Sequence, residues 1–389
     1  MNSPADEHAQ VQRMLGAWAL QACSAEEAAQ LDKHLSVCPE CSDEAERLRG
    51  AVGLLHPHLD LDLAPTLRAE VLGACLSARQ PEVSVPDYAQ PYDAETARLD
   101  TLLADLSSQE WKAPVQLEWF EGENSATRDT SVNGVLGHLL AVDGTVAKTL
   151  GLPDPMLPPA DGTNDPLART EALWEQMDAS AKQPEPSGSD DADPGTGDPA
   201  GSIRQTWRDQ TYELIRTVSF GNAGVADMGV PYGEAVLPLR LAMLDRAFET
   251  WIHATDIADA VDYPYMPPVP DHLRTLISVA VEMLPAILAA RRQAGLASPP
   301  LPVTQPGAQG RSLRLQIEGE SGGDWYLPLD GAEGPAGPEN CVSHVVLEEV
   351  EFCRLAAGHL PPRKVAAAHQ GDQKAVLELL YAMASMSRI

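Results

Sequence analysis

The chain has 389 residues, 44% of them hydrophobic, which is enough for two or three domains with cores of their own. A formal net charge of −30 sets it against nucleic-acid phosphates and argues against direct DNA or RNA binding. Such a surface either engages a basic protein or only keeps the chain soluble. The six cysteines do not form a dense disulfide framework, the N-terminus has no basic-then-apolar leader, and there is no run of about 18 apolar residues. These features predict a soluble, cytoplasmic protein without a membrane span.

Val11, Met14, Leu15 and Trp18 share one helical face and predict a first helix over 6–22. Ser24 with Glu27 is a capping box for a second helix through Leu31 and Leu35, and a third begins near Pro39 with Ala45, Leu48, Val52 and Leu55. A short fourth helix is expected from Pro65, carrying Leu67, Val71, Leu72 and Leu76, so that 1–80 reads as one small helical domain. Pro81, Pro86 and Pro91 without periodicity make 81–91 a linker.

Over 92–265 helical patterns recur: one with Leu99, Leu102, Leu103 and Leu106, then spans near 131–150, 202–219 and 238–261. The four predict an antiparallel bundle. Pro-rich and low-complexity stretches interrupt it, and about 153–201 reads as a mobile insertion. Over 270–389 the pattern changes. Leu313, Leu315 and Ile317 alternate as in a strand, Trp325-Tyr326-Leu327 is placed to pair back, and Val342, Val345, Val346 and Leu347 suggest another strand. Helices near 349–357 and 372–386 complete a small α+β domain.

Two constellations carry chemistry. His34-x3-Cys38-x2-Cys41 places an imidazole at the end of one helix and two thiols at the start of the next, a donor set suited to tetrahedral zinc. A closed site needs a fourth donor. His8 is the candidate, because the first two helices fold back about Cys23 and return position 8 to the 34–38 end. The plainer alternatives are two inert or redox thiols and a solvated His8; His56 and His58 read as ordinary loop residues. In the second constellation Glu249 and His253 are four apart on one helix, and His138 lies on another helix of the same bundle. Two imidazoles and a carboxylate leave open coordination positions for zinc or another divalent metal, and Asp256 is placed to orient a ligand. By spacing alone, a satisfied core histidine and a simple i,i+4 pair explain these residues as well.

The stretch from His8 through "LDKHLSVCPEC" resembles the zinc-associated anti-sigma domain of the zinc-finger type, over about residues 5–78. That resemblance implies zinc held by His8, His34, Cys38 and Cys41, and an ECF-type sigma factor as partner. Residues 1–80 carry 12 acidic and 6 basic side chains, which suits a basic partner. Some members of that family sense oxidants through a cysteine where this chain has His8, so signal input is expected downstream.

"WKAPVQLEWF", "VNGVLGHLLAVDG" and "RAFETWIHATDIADAV" resemble the mycothiol-dependent maleylpyruvate isomerase family, whose first domain is a DinB-like four-helix bundle; the match runs from about 92 to 389. It implies a metal triad at His138, Glu249 and His253, and thiol chemistry with mycothiol. The family's substrate-binding arginine is not placed, with Arg240 and Arg246 the nearest in sequence. The expected fold is therefore multidomain and mainly α: a small zinc-binding helical domain, a DinB-like bundle, and a small α+β C-terminal domain. The expected function is an anti-sigma factor with a metal-binding sensor region responding to a thiol or small electrophile. The alternative is a mycothiol-dependent isomerase or thiol transferase with an accessory zinc domain.

Overall fold

The computed structural model describes residues 4–55, 71, 84–155, 164–181, 199–222, 224–233, 235–300, 310–330 and 336–386. The chain divides into two units, Met1–Glu82 and Val83–Ile389.

The first unit contains α1 (Pro4–Ala19), α2 (Ala25–Leu35) and α3 (Pro39–Leu55). Helix α1 ends earlier than its periodicity predicts because Gln21 turns into the left-handed region at φ 57°. Ser24 then starts α2: its hydroxyl accepts from the Glu27 amide, and the Glu27 carboxylate accepts from the Ser24 amide at 2.9 Å. Leu15, Leu31, Cys41 and Ala45 are the buried core, with Val11, Met14, Trp18, Leu35 and Leu48 packed against it. Trp18 is held on both sides, its indole donating to Asp32 at 2.9 Å and the Arg49 guanidinium lying 3.9 Å over its ring. A core of this size stabilises a domain poorly without a staple. The helix expected from Pro65 lies outside the described residues, except for Val71, which is helical.

The second unit opens with α4 (Gln90–Asp105), the strands β1 (Pro114–Glu121) and β2 (Asn124–Ser131), then α5 (Val132–Thr149), α6 (Pro166–Ala181) and α7 (Pro199–Phe220). Strands β3 (Gly229–Tyr232) and β4 (Ala235–Pro238) lead into α8 (Leu239–Ala260). Helices α4, α5, α7 and α8 form the four-helix ring, each packing on two others, and α6 lies against α5. Strands β1 and β2 pair antiparallel across a two-residue turn at Gly122, whose φ of 68° suits glycine.

Two expectations are corrected here, and one helix that was not predicted is added. The stretch read as a linker is already part of this unit from residue 84: Ala89 is fully buried, and Pro86 accepts the amides of Ala89 and Gln90. Pro91 is not a breaker but sits in the first turn of α4, where its missing N–H costs nothing. The span read as a mobile insertion contains α6, whose Trp174 is 7% exposed and donates to the Gly134 carbonyl at 2.8 Å. Arg169 of the same helix is buried, donating to the Ala141 carbonyl at 2.7 Å and to Asp154 at 2.7 Å. Low-complexity flanks had masked the shared face of Thr170, Trp174 and Met177. Finally, charged residues hide a long apolar helix, α9 (Pro270–Gln293), which has an 18-residue window of mean hydropathy 1.7 and is long enough to cross a membrane. Its Leu273, Ile277, Val281, Leu284 and Leu288 recur at helical spacing and are buried in a protein core.

Beyond α9, β5 (Ser312–Glu318), β6 (Gly323–Pro328), β7 (Cys341–Glu348) and β8 (Ala368–Gly371) form one sheet in the order β6-β5-β7-β8. The β5–β7 pair is parallel and the outer pairs are antiparallel. The sheet packs with α9, α10 (Glu349–Ala356) and α11 (Gln373–Ala384). Leu313, Leu315 and Ile317 face its core as their alternation predicts, and Trp325 pairs back opposite Leu315. Phe120, Trp251 and Ile252 join the same apolar cluster, so bundle and sheet share buried surface.

Candidate metal sites

The α2–α3 corner is built by backbone hydrogen bonds. The His34 carbonyl accepts from the Val37 and Cys38 amides at 3.0 Å each, and the Cys38 carbonyl starts α3 by accepting from Ser42 at 3.1 Å. This turn sets His34, Cys38 and Cys41 side by side, and α1 returns His8 to them. One donor atom from each of the four lies within 4.8 Å of the others. The His8 Nδ1 is 3.6 Å from both sulfurs, leaving its Nε2 toward Glu40 at 3.9 Å. The buried His34 Nε2 has no hydrogen-bond partner. Burial, with Cys38 alongside, pushes the Cys41 thiol up to about 11. A cation among these atoms would hold the thiolate and satisfy the orphaned imidazole, and the N2S2 set fits zinc.

The second cluster lies inside the bundle, where α5 contributes His138 and α8 contributes Glu249 and His253, again with donor atoms within 4.8 Å of one another. The hydrogen bonds around it define both tautomers. Thr170 gives its one hydroxyl proton to the Pro166 carbonyl at 2.8 Å, so at 2.9 Å it accepts from His138 Nδ1–H. The Asp256 carboxylate can only accept, so His253 Nδ1–H donates to it at 2.9 Å. Both Nε2 atoms are therefore left toward Glu249, buried and without hydrogen-bond partners. Burial and the neighbouring His253 hold His138 well below the usual imidazole range, hence neutral. Burial would also lower His253, but the carboxylates of Asp256 and of Glu249, the latter 3.3 Å from its Nε2, outweigh it and raise the group to about 9, so a cation bound there would displace the Nε2 proton. Burial would raise Glu249, yet His253, 3.3 Å away, and Arg246 bring it down to about 2. The orphaned lone pairs and the N2O set fit a divalent ion with open positions.

Of the two arginines named from the sequence, Arg240 is half-exposed and paired with Asp227, whereas Arg246 is 4% exposed beside Asp245. Two of the Arg246 nitrogens and the Tyr232 hydroxyl are buried without hydrogen-bond partners. Thr170 escaped the sequence reading because it lies in the span taken for an insertion. His359, whose Nε2 is 3.5 Å from the far oxygen of Asp256, carried no local signal at all. His56 and His58 lie outside the described residues.

The fold and these two clusters define a zinc-finger-like helical segment followed by a four-helix bundle with a His-Glu-His cluster inside it. Residues 9–42 match the family described as "Putative zinc-finger", and residues 92–258 match the mycothiol maleylpyruvate isomerase N-terminal domain. Two solved structures are similar: a mycothiol-dependent maleylpyruvate isomerase (15% identity, TM-score 0.41) and a histidine-to-alanine mutant of that isomerase (13%, 0.40). Each similarity covers 73% of this chain and 93% of the other. No curated protein matches.

Proposed function

We propose that the chain is an anti-sigma factor. In this reading residues 1–80 hold zinc and sequester an ECF-type sigma factor in the cytoplasm. Residues 92–265 hold a second divalent metal, zinc being the expected ion, and respond to a thiol or small electrophile; 270–389 form the α+β region that packs on them. The observation that carries the reading is the four-donor cluster of His8, His34, Cys38 and Cys41 at a helix corner, inside a segment that resembles the zinc-associated anti-sigma domain. Leu20, Val37 and Leu54 of the same unit are exposed, which supplies apolar surface for a partner. A sensor needs a ligand site coupled to a partner surface, and the bundle cluster supplies a candidate for the first.

Co-purification of the full chain with candidate ECF-type sigma factors tests this. A zinc-containing complex is expected, lost on Cys38→Ala together with one equivalent of metal. Full retention of a complex by metal-free protein overturns it.

The bundle cluster favours a second reading, a mycothiol-dependent isomerase or thiol transferase. A divalent ion, when bound there, would favour the thiolate of a ligated thiol. The chain's own residues prepare for it: Thr170 and Asp256 fix both imidazoles, and burial excludes water. Turnover of a thiol adduct by the full chain, abolished by His253→Ala, is the result expected on this reading.

A further inference from the structure

Glu249 has two surroundings. Its carboxylate meets His253, while its side chain, 14% exposed against 7% for His253, also lines a cleft between α8 and α9. The cleft walls are apolar: Leu241, Leu244 and Phe248 on one side, Leu276, Val279 and Met283 on the other. Asp245 and Glu249 are the only charged residues lining it among the described residues, and both are acidic. Among the described residues no arginine, lysine, histidine, hydroxyl or amide side chain lines this cleft, and Arg246 is not part of it. His138 is 1% exposed, so Glu249 is the most open of the three residues, and it is the one of them that lines this cleft.

A carboxylate or phosphate passing through this cleft would lose water between apolar walls and pass two acidic side chains, with no basic side chain lining the way to receive it. A hydrocarbon chain gains with each methylene it buries, and the flexible Met283 adapts to its shape. We propose that this cleft is the entrance to the bundle cluster and selects an uncharged, apolar ligand with a metal-seeking head, a hydrophobic thiol being the class that fits. The proposal rests on the reading that His138, Glu249 and His253 hold a divalent ion. It runs against a heavily hydroxylated or carboxylated thiol as the preferred occupant.

The test uses the full chain loaded with Co(II) as the optical probe, titrated with ethanethiol, propanethiol, butanethiol, hexanethiol and mercaptopropionate. Calorimetry supplies a second readout. Affinity is expected to rise about fourfold per added methylene. Mercaptopropionate should bind about tenfold or more weakly than propanethiol. The spectral response should vanish in His253→Ala. Met283→Lys, or Leu241→Lys if the first fails to fold, should keep its cobalt, flatten the chain-length dependence and improve mercaptopropionate binding. Cobalt bound in the bundle with no chain-length dependence, or with a preference for the carboxylated thiol, overturns the cleft assignment alone. Failure of the bundle to bind cobalt, shown by unchanged stoichiometry in His253→Ala, overturns the metal reading and the proposal with it.

Discussion

Two buried hydrogen bonds decide what the bundle cluster can do. Thr170 and Asp256 each accept a hydrogen bond from an imidazole Nδ1–H, which turns both Nε2 atoms toward the place a cation would occupy. Thr170→Val removes the acceptor with little change of volume. Metal affinity of the bundle site should fall about 10- to 100-fold, measured by competition with a chromophoric chelator. Asp143 gives a prediction about pH. It is fully buried and accepts from the Tyr92 hydroxyl at 2.8 Å, yet burial lifts its carboxyl from 3.8 to about 6 against the pull of Arg246. The folded chain therefore keeps this proton over a pH range where the unfolded chain has lost it. Stability from this group falls as pH rises from about 4 to 6, by about 3 kcal/mol in all, and stays low above that. Urea unfolding followed by tryptophan emission should show Asp143→Asn gaining on the parent between pH 4 and 7. An identical pH profile for the two proteins would refute the assignment. Five of the seven candidate ligands, His34, Cys38, Cys41, Glu249 and His253, stand at short spacings that one corner or one helix turns into proximity, whereas His8 needed the fold-back of α1, and His138 was tied to Glu249 and His253 only by the family resemblance. Thr170 and His359 were not legible in the sequence, since only the tertiary fold brings them near the cluster.

At the scale of elements, local chemistry and long-range packing separate cleanly. The α2 start was readable because a capping box is a four-residue motif, and Ser24→Ala should cost the first unit about 1 kcal/mol in thermal unfolding. The strands β5, β6 and β7 were readable from alternation or from a short apolar run beside a turn. The hairpin of β1 and β2 was not, because only Val115, Leu117 and Phe120 of β1 are buried and β2 is polar apart from Ala126. Helix α6 was hidden by its flanks. If it belongs to the bundle as described, Trp174→Ala loses a buried indole and its hydrogen bond to Gly134, at about 3–5 kcal/mol. A change of less than about 1 kcal/mol in urea unfolding would mean that α6 is dispensable.

Across the whole molecule, two units carry two clusters of different donor chemistry. Thiolate and imidazole serve the first; imidazole and carboxylate serve the second. Trp18 is the only tryptophan before residue 82, and the other six report on the second unit. Treatment with a strong chelator should shift the Trp18 emission to the red as the first unit loosens. The difference spectrum against Trp18→Phe isolates that signal. Most of the helical circular dichroism should survive, because the second unit has a large apolar core independent of any ion. An unmoved Trp18 signal in demonstrably metal-free protein would show that zinc is not what holds these helices.

The cluster shared by bundle and sheet limits how the chain can be divided. Phe120, Trp251 and Ile252 lie under the strands, and His359 reaches Asp256 from beyond α10. A polypeptide ending where the family match stops, at residue 258, would expose those aromatic and aliphatic groups to water and leave Asp256 without its imidazolyl neighbour. Such a fragment should aggregate on expression, whereas one beginning at Val83 and running to the end should remain dispersed, so gene truncations aimed at isolating the bundle have to carry the last third along.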